Sequence, residues 1–327
     1  MNSYLQNTKP EIKDKMRDLG ITPIRVELPF RLNHVNCFMA EGIDGWTVID
    51  TGLNNDYTRE LWEEQIGTKE ISDLLLTHYH PDHFGHAGSL QKKTGAKVSM
   101  SKTDALAGLS SWQDEVIETI PANYRACGIP EDKSIQMTEN TAGFQDLVFP
   151  LPEVDRYFKE GESVVIGRYE YEVIFTPGHS DGMVCFYNKE QNVLFSADHI
   201  LPKITPNISY WFHGDENPLK TYYQSLEKMK ELDAELVIPS HHQPFYGANK
   251  RIDELMKHHN ERLEETLDTV TEGRTVYEAC EQLFKRPLTV HETRFAVGET
   301  LAHLEFLRHS GDCGRRKEGE QWIYQRA

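Results

Sequence analysis

The sequence predicts an α/β protein in which two β-sheets pack face to face and helices lie on the outside. Two series of short apolar segments, separated by Gly, Pro, Asn and Asp, fill residues 22–101 and the region that follows residue 163. Several of these segments are too apolar for a sheet that is wet on one face. Helical segments lie between them, and this alternation of two strand-rich halves with helices indicates a layered α/β fold.

The individual elements can be assigned in chain order. The first strand series consists of PIRVELPF, HVNCFMAEG, GWTVIDTG, ISDLLLTHYH and AKVSM, and the second of SVVIG, YEYEVIFTPGHS, MVCFYN, NVLFSADHIL and ELVIPSHHQ. Helices are predicted over Asp56–Gln65 and Leu219–Glu231. Residues 102–152 are richer in helix formers, and they form either a lid over a site or a plain helical crossover between the two halves.

The two ends of the chain differ from this pattern. Residues 1–20 contain no apolar run, so they predict a short helix and not a signal peptide. From Asn249 a long amphipathic helix, two further helices and a hairpin that turns near Gly319 follow one another. Three helices and a hairpin are typical of a winged-helix module. We therefore predict a main domain over residues 1–248 and a winged-helix-like domain over residues 249–327.

Charge and composition restrict the classes of partner. The chain has 35 Lys and Arg residues against 52 Asp and Glu residues, a formal net charge of -17. Such a protein repels a phosphate backbone, so nucleic-acid binding is disfavoured unless a local basic patch exists. No run approaches the roughly 18 apolar residues of a membrane span, so no membrane partner is expected. The five cysteines are widely spaced and form no CxxC pair, which fits a soluble protein of the reducing cytoplasm without a disulfide framework.

A dense cluster of histidines follows the fourth predicted strand. The segment is His78-Tyr79-His80-Pro81-Asp82-His83, and it begins where the apolar run Leu74–Thr77 ends. Three imidazoles and a carboxylate within six residues are costly to bury without partners. A divalent cation would satisfy them, and histidine with aspartate is a zinc-like set of ligands.

Three single residues occupy the same position at the ends of other apolar strands. His179 follows VIFTPG, Asp198 follows VLFSA, and His241 follows LVIPS. Each alone is a weak signal, because a histidine at a strand end is more often a satisfied polar residue. Together with the cluster, they supply enough ligands for two metal ions.

These motifs, in this order, resemble the metallo-β-lactamase superfamily. HxHxDH, TPGHS, SADH and PSHH follow one another after Val48-Ile49-Asp50-Thr51-Gly52, and the match spans about residues 23–243. The resemblance implies a four-layer αββα sandwich with the metals at one edge, so residues 1–248 would be the catalytic domain. It implies that one metal binds His78, His80 and His179, that the other binds Asp82, His83 and His241, and that Asp198 bridges them. It also implies that Asp50 orients a ligand histidine from outside the metal shell.

Two motifs depart from the family pattern. The last one has Ser240-His241-His242 where a histidine usually stands between two glycines, so His242 is an alternative ligand to the favoured His241. The motif around His179 continues with Ser-Asp-Gly where many members have a second Pro-Gly, which removes no ligand. Other histidines match no ligand position and are interpreted as structural or surface groups; they include His34, His86, His199, His258, His259 and His303.

The expected chemistry follows from two divalent ions, zinc by preference, with iron or manganese as alternatives. Ions about 3.5–4 Å apart can hold a bridging hydroxide at neutral pH. Asp82 and Asp198 would position this nucleophile while binding metal, and no GxSxG serine motif is present. The resemblance favours a hydrolase of small acyl substrates, such as a thioester, ester or lactone. A phosphodiesterase or ribonuclease is the main alternative, followed by an iron-dependent oxidoreductase and a non-enzymatic regulator.

Two further segments bear on partners. The predicted hairpin carries Arg315-Arg316-Lys317, but residues 249–327 hold 13 Lys and Arg against 15 Asp and Glu, so they form no basic domain. Packing onto the catalytic domain or onto a second subunit, as in a homodimer, is the expected use of this module. The aromatic run Tyr210-Trp211-Phe212-His213 either lines a pocket for a small-molecule substrate or packs in the core.

Overall fold

Helices and strands alternate along residues 8–327, the part of the chain that the computed structural model describes. The first half contains α1 (Pro10–Asp18), β1 (Ile21–Glu27), β2 (His34–Glu41), β3 (Trp46–Ile49), α2 (Asp56–Ile66), β4 (Ile71–Leu75), α3 (Pro81–Phe84), α4 (Ala87–Thr94) and β5 (Lys97–Met100). A helical segment then contains α5 (Lys102–Ser110), α6 (Asp114–Ile117), α7 (Ile120–Ala126), α8 (Glu131–Ala142) and a 3-10 turn (Gln145–Leu147). It leads into the short strand β6 (Arg156–Tyr157).

The second half repeats the strand-rich pattern and ends in helices. It contains β7 (Ser163–Ile166), β8 (Tyr169–Phe175), β9 (Val184–Asn188), β10 (Val193–Ala197), α9 (Pro218–Lys230), β11 (Leu236–Pro239) and β12 (Phe245–Tyr246). The C-terminal region contains α10 (Ala248–Thr269), β13 (Arg274–Thr275), α11 (Val276–Leu283), α12 (Val290–Ser310), β14 (Cys313–Glu318) and β15 (Gln321–Arg326).

Two six-stranded mixed sheets form the centre of the fold. Their strand orders are β1-β2-β3-β4-β5-β6 and β12-β11-β10-β9-β8-β7. The strands β3 to β6 run parallel to one another, as do β10 and β11, and the remaining neighbours are antiparallel. Parallel neighbours place their carboxyl ends at the same edge, so the loops that follow β3, β4 and β5 leave from one side of the first sheet.

Three apolar cores hold the layers together. Between the sheets, Phe38 and Phe195 meet with their ring centroids 5.2 Å apart. On the outer face of the first sheet, Trp62 and Leu90 bring α2 and α4 into a second core. On the outer face of the second sheet, Tyr222 of α9 belongs to a core that extends to α10 and α12. The main domain is therefore a helix–sheet–sheet–helix arrangement, as the sequence predicted.

The ten predicted strands are present, and three short strands were not predicted. These three, β6, β12 and β13, have two residues each and are too short to leave a periodic pattern. Helix α12 begins at Val290, where Thr289 and Glu292 form a capping box. The backbone N–H of Thr289 donates to the Glu292 carboxylate over 2.9 Å, and this cap stabilises the first turn.

The C-terminal region contains the predicted three helices and a hairpin. The hairpin of β14 and β15 gains β13 as a third strand, in the order β13-β15-β14. Helix α12 packs against α8, α9, α10 and α11, so it contacts the helical segment as well as its own region. The winged-helix assignment and the boundary at residue 249 stay predictions.

Three expectations from composition concern the ends, the thiols and membranes. Helix α1 lies within the predicted N-terminal helix, and residues 1–7 of that segment are outside the described range. All five cysteines are buried free thiols, as expected. Within residues 8–327, no helix is both long enough and apolar enough to cross a membrane.

Candidate metal centre

The seven predicted ligand residues converge at one edge of the two sheets. The cluster from His78 to His83 follows β4, and its last residues form the short helix α3. His179, Asp198 and His241 follow β8, β10 and β11. Their donor atoms form three overlapping groups in which all atoms lie within 4.8 Å of one another. The prediction that distant parts of the chain meet at this edge is confirmed.

Three histidines form the first group of donors. The Nε2 atom of His78 lies 3.1 Å from Nδ1 of His80, and this Nδ1 lies 2.9 Å from Nε2 of His179. Separations of about 3 Å between nitrogens suit ligands that share one tetrahedral cation at about 2.0–2.1 Å from each.

The second group contains Asp82, His83 and His241. The Oδ2 atom of Asp82 lies 3.7 Å from Nε2 of His83 and 3.5 Å from Nε2 of His241. Both imidazoles are buried, while Asp82 is partly exposed to the cavity above the site. This group offers two nitrogens and one carboxylate oxygen, a set that suits a second divalent ion.

Asp198 lies between the two groups. Its Oδ2 atom is 3.5 Å from Nε2 of His179 in the first group. The same atom is 3.6 Å from Nε2 of His83 and 3.2 Å from Nε2 of His241 in the second group. A single carboxylate oxygen thus lies within 3.6 Å of nitrogen donors from both groups.

Asp50 contacts His83 from the side away from the donors. Nδ1 of His83 lies 2.8 Å from Oδ2 of Asp50, and the backbone N–H and hydroxyl of Thr77 donate to the same carboxylate over 2.9 and 2.8 Å. Asp50 itself has a left-handed backbone, with φ of 57°, directly after β3. The carboxylate fixes the His83 ring so that Nε2 faces the centre, as expected for an orienting aspartate.

Backbone carbonyls orient two other histidines. Nδ1 of His241 donates to the carbonyl oxygen of His34 over 2.6 Å, and Nδ1 of His179 donates to that of Asn207 over 2.7 Å. In both rings the Nε2 atom is then the unprotonated nitrogen that faces the centre. The sequence could not reveal these acceptors, because every residue has a carbonyl.

Burial and charge set the protonation of the site. Burial, reinforced by neighbouring imidazoles, lowers the pKa of His78 and His80 well below its usual value, so both rings are neutral at pH 7. Burial also lowers the pKa of His83, but the carboxylates of Asp198, Asp82 and Asp50 outweigh it and raise this pKa. Burial raises the pKa of Asp198, but the imidazoles of His241 and His83 lower it by more. The pKa of Asp198 therefore lies well below its ordinary value.

These residues fit a metal on their own geometry. His179 uses its N–H on Asn207, so its Nε2 presents a lone pair to His80, whose single Nδ1 hydrogen cannot satisfy both neighbouring imidazoles. Among the described residues, Asp198 Oδ1 is a buried oxygen without a hydrogen-bond partner. Buried lone pairs that face one another without hydrogens are satisfied by cations.

The structure places His241 and not His242 in the centre. His242 has a left-handed backbone, with φ of 64°, that turns its ring away from the donors. Its backbone N–H donates to Nε2 of His34 over 2.8 Å, and its ring lines a separate cavity of about 160 Å³ with Arg25 and Lys203. His242 belongs to none of the three donor groups.

Sequence analysis did not identify Asp104, which connects two ligand loops. This buried residue in the first turn of α5 accepts hydrogen bonds from the N–H of Tyr79 over 3.2 Å and of Gly182 over 2.6 Å. It also accepts from the Ser180 hydroxyl over 2.6 Å. Asp104 therefore holds the His78–His80 turn beside the His179 loop. Burial, against these hydrogen bonds, raises its pKa to about 7. A Cβ atom on Gly182 would lie 2.7 Å from Oδ1 of Asp104, so only glycine permits this contact.

A cavity of about 710 Å³ opens above the metal centre. His80, Asp82, Asp198 and His241 lie among its lining residues. The walls come from residues 28–32, the helical segment, residues 204–213 and α12. The aromatic run 210–213 lines the cavity, and Tyr210 and Phe212 also pack against the core beneath it.

The C-terminal helix fixes the segment that carries these aromatic residues. The N–H of Tyr210 donates to the carbonyl of Gly298 in α12 over 3.0 Å. A Cβ atom on Gly298 would lie 2.6 Å from Oγ of Ser209, so its absence allows the close approach. The ring of Trp211 lies 6.1 Å from that of His80 and 6.4 Å from that of Phe295, between the metal centre and α12.

Comparisons with protein families cover most of the chain. Residues 31–241 match the model of the metallo-beta-lactamase superfamily. Residues 263–327 match the model of a metallo-beta-lactamase-like C-terminal domain.

Individual proteins show the same similarity. A crystal structure of a metallo-beta-lactamase family protein from Thermus thermophilus is 31% identical, with a TM-score of 0.84, and the match covers 94% of this chain and 99% of that one. A probable metallo-hydrolase of Bacillus subtilis is 23% identical over 303 residues, which are 88% of this chain and 92% of that protein. An acyl-coenzyme A thioesterase of Homo sapiens is 24% identical over 237 residues, 67% of this chain and 76% of that protein.

Proposed function

Since this chain belongs to the metallo-β-lactamase superfamily and is a metal-dependent hydrolase of that family, we propose that it cleaves acyl compounds at a pair of metal ions. The substrate class is a thioester, ester or lactone. The observation that carries this proposal is the position of the histidine and aspartate donors at the floor of a cavity of about 710 Å³ with largely aromatic and aliphatic walls.

The assignment of ligands follows the three donor groups. His78, His80 and His179 would hold one ion, and Asp82, His83 and His241 would hold the other. Asp198 would contact both ions through Oδ2, and Asp50 would orient His83. Zinc is the proposed metal, because imidazole with carboxylate in a tetrahedral arrangement is a common zinc site. Iron and manganese accept the same donors.

The residues of the site would have different roles in hydrolysis. A bound pair of divalent ions supplies a water of lowered pKa and polarises the scissile carbonyl. Among the described residues, Asp198 Oδ1 has no hydrogen-bond partner, so this oxygen would accept a hydrogen bond from the attacking water and orient it. Asp82, which faces the cavity, would orient the same water from the other side.

The walls of the cavity favour an acyl substrate over a phosphodiester. Trp112, Phe144, Trp211 and Phe295 line it, and aromatic walls of this kind enclose an acyl chain. A nucleic-acid backbone would require several cations along an open groove. The similarity to a human acyl-coenzyme A thioesterase supports a thioester.

The C-terminal module would complete this pocket and not bind nucleic acid. We regard it as winged-helix-like, because three helices precede the hairpin of β14 and β15. On that hairpin, Arg315 pairs with the buried Glu305 over 2.9 Å and Arg316 with Glu318 over 2.8 Å. These pairs leave less positive charge for phosphates. A homodimer is compatible with this use of the module.

Metal analysis beside a substrate panel tests the proposal. Purified protein would be analysed for zinc, iron and manganese and assayed with octanoyl thioesters, a lactone and bis(p-nitrophenyl) phosphate. We expect about two metal ions per chain and hydrolysis of the thioesters that a chelator removes and zinc restores. Turnover of the phosphodiester at a higher kcat/KM than every acyl compound would overturn the acyl assignment in favour of the phosphodiesterase.

A further inference from the structure

Arg294 brings a positive charge into the otherwise apolar wall of the substrate cavity. It lies near the start of α12 and is partly buried among the lining residues. Its guanidinium carbon lies 5.4 Å from the ring centroid of Phe144 and 5.7 Å from that of Phe295. Both rings line the cavity, so the cation lies within reach of two aromatic rings of the wall.

Its polar contacts are neutral. Nη1 of Arg294 donates to Oδ1 of Asn140 over 3.1 Å, the Tyr124 hydroxyl is a second partner, and Tyr79 is a further polar neighbour. A guanidinium has five N–H donors, so these two partners leave several unused. Within residues 8–327, Arg294 forms no ion pair with a carboxylate.

The other arginine of the cavity differs in this respect. Arg31 is largely exposed, and its Nη1 atom lies 3.5 Å from Oε1 of Glu292. That carboxylate also pairs with Arg286 over 2.8 Å. The positive charge of Arg31 at the rim is thus already offset, whereas that of Arg294 is not.

An uncompensated charge in an apolar wall costs free energy unless a partner arrives. The overall charge of -17 repels anions, so an anionic substrate would need a local cation to enter. Arg294 lines the same cavity as the metal-site residues His80, Asp82, Asp198 and His241.

We infer that Arg294 pairs with an anionic group of the substrate, so the substrates of this enzyme are acyl compounds that carry a carboxylate beside an apolar chain. The term substrate rests on the function proposed above. A carboxylate can pair with the guanidinium through two parallel hydrogen bonds, which would fix the position of the acyl group over the metals. The carboxylate lies either at the far end of the acyl chain or on the leaving group.

A structural role for Arg294 makes a different prediction. In that case the side chain would only join α12 to Asn140 and Tyr124 of the helical segment. Its loss would then weaken the binding of charged and neutral ligands equally, because the shape of the cavity would change. The anionic and neutral members of a matched ligand pair separate the two roles.

Binding without turnover provides the first test. Octane-1-sulfonate and 1-octanol would be titrated into the metal-loaded protein and followed by the fluorescence of Trp112 and Trp211, which line the cavity. Sulfonate is a weak zinc ligand, and a chelator-treated sample checks that the metals do not hold it. We expect R294Q to weaken sulfonate binding by about tenfold to a hundredfold and to leave octanol binding unchanged. The sulfonate affinity of R294K should lie between those of the parent protein and R294Q, because lysine keeps the positive charge but cannot donate two parallel hydrogen bonds.

A matched control removes the same charge elsewhere. R286Q alters an exposed arginine outside the cavity lining, and we expect it to bind both ligands like the parent protein. Thermal unfolding of all three variants would show whether each is folded. An equal loss for sulfonate and octanol in R294Q, or no preference for sulfonate in the parent protein, would overturn the inference.

Turnover of charged and neutral thioesters would then show which part of the substrate carries the anion. It also tests the proposed function separately from the role of Arg294. Three octanoyl-length thioesters would be compared: one with a carboxylate at the end of the acyl chain, one with 3-mercaptopropionate as the leaving group, and one neutral at both ends. We expect R294Q to lower kcat/KM, mainly through KM, for one charged thioester and not for the neutral one. If the parent protein hydrolyses none of them, the acyl hydrolase proposal fails, while the sulfonate titration still decides the role of Arg294.

Discussion

Nδ1 of His179 donates a hydrogen bond to the backbone carbonyl of Asn207, over 2.7 Å. The side chain of Asn207 is in turn anchored on α12, where Nδ2 lies 3.4 Å from the carbonyl of Phe295 and 3.4 Å from Oε2 of Glu299. A helix of the C-terminal region thus positions the acceptor that orients His179, a donor of the candidate metal centre. This connection makes the C-terminal region part of the architecture of the site.

We expect N207A to weaken metal binding at the His78–His80–His179 group and to lower kcat by about tenfold, while the protein stays folded. The physical reason is that partners outside the ligand shell hold the ligand in its binding orientation, and their loss typically costs about 10–100-fold. Zinc titration and steady-state kinetics measure both effects. N249A is the control, because the side chain of Asn249 donates to Asp233 at the surface. If N207A had the zinc affinity and kcat of the parent protein, Asn207 would not be needed to position His179.

We expect H80A and D198A each to lose at least about a hundredfold in activity and to bind less metal. Among residues 8–327, no neighbouring residue replaces the donor that each substitution removes, and D198A removes a carboxylate oxygen that lies close to both groups. Elemental analysis and turnover of an octanoyl thioester provide the measurements. H242A should keep both its metals and its activity, because that ring lies outside the donor groups. Full occupancy and full turnover in H80A and D198A would refute the ligand assignment.

We expect D50N to retain metal at high zinc concentration but to lose about 10–100-fold in activity. The amide cannot match the carboxylate as an acceptor for the His83 ring and for the N–H and hydroxyl of Thr77. Kinetics at saturating zinc, beside a measured zinc affinity, separate loss of orientation from loss of metal. Kinetics identical to those of the parent protein would show that the contact with His83 does not matter for function.

Asp104 should make folding stability depend on pH. Its pKa is about 7 in the folded protein, mainly because it is buried, against 3.8 as the ordinary value. The folded state therefore binds the proton more tightly than the unfolded state. This contribution to stability is complete below about pH 4 and is lost as the pH rises to about 7.

The comparison with D104N isolates this effect. Between pH 4 and 7, the free energy of unfolding of the parent protein should decline relative to that of D104N, because the amide does not titrate. Urea unfolding at several pH values measures the difference, with the metal content held constant. D114N, at an exposed aspartate of the same helical segment, should track the parent protein. A parallel pH dependence in the parent protein and D104N would show that Asp104 does not titrate in this range.

The sequence alone was sufficient to predict the layered α/β fold and the seven donor residues, because both predictions depend on residues that are close together in the chain. Strand periodicity is set by neighbouring residues, and His78, His80, Asp82 and His83 lie within one turn after a strand. His179, Asp198 and His241 could be added because each directly follows an apolar strand. Parallel and adjacent strands bring such positions to a common edge, so position in the sequence predicted position in space.

Only the tertiary structure decided which groups support and surround those donors. Asp104, Asn207 and Arg294 have no distinctive spacing, and their roles depend on which loops and helices meet. The sequence also left open whether His241 or His242 lies among the donors, and in the structure it is His241, while His242 has a left-handed backbone. A ligand motif consists of residues that are close together in the sequence. An orienting carbonyl, a buried carboxylate or an unpaired guanidinium acquires its role only when segments far apart in the chain come into contact.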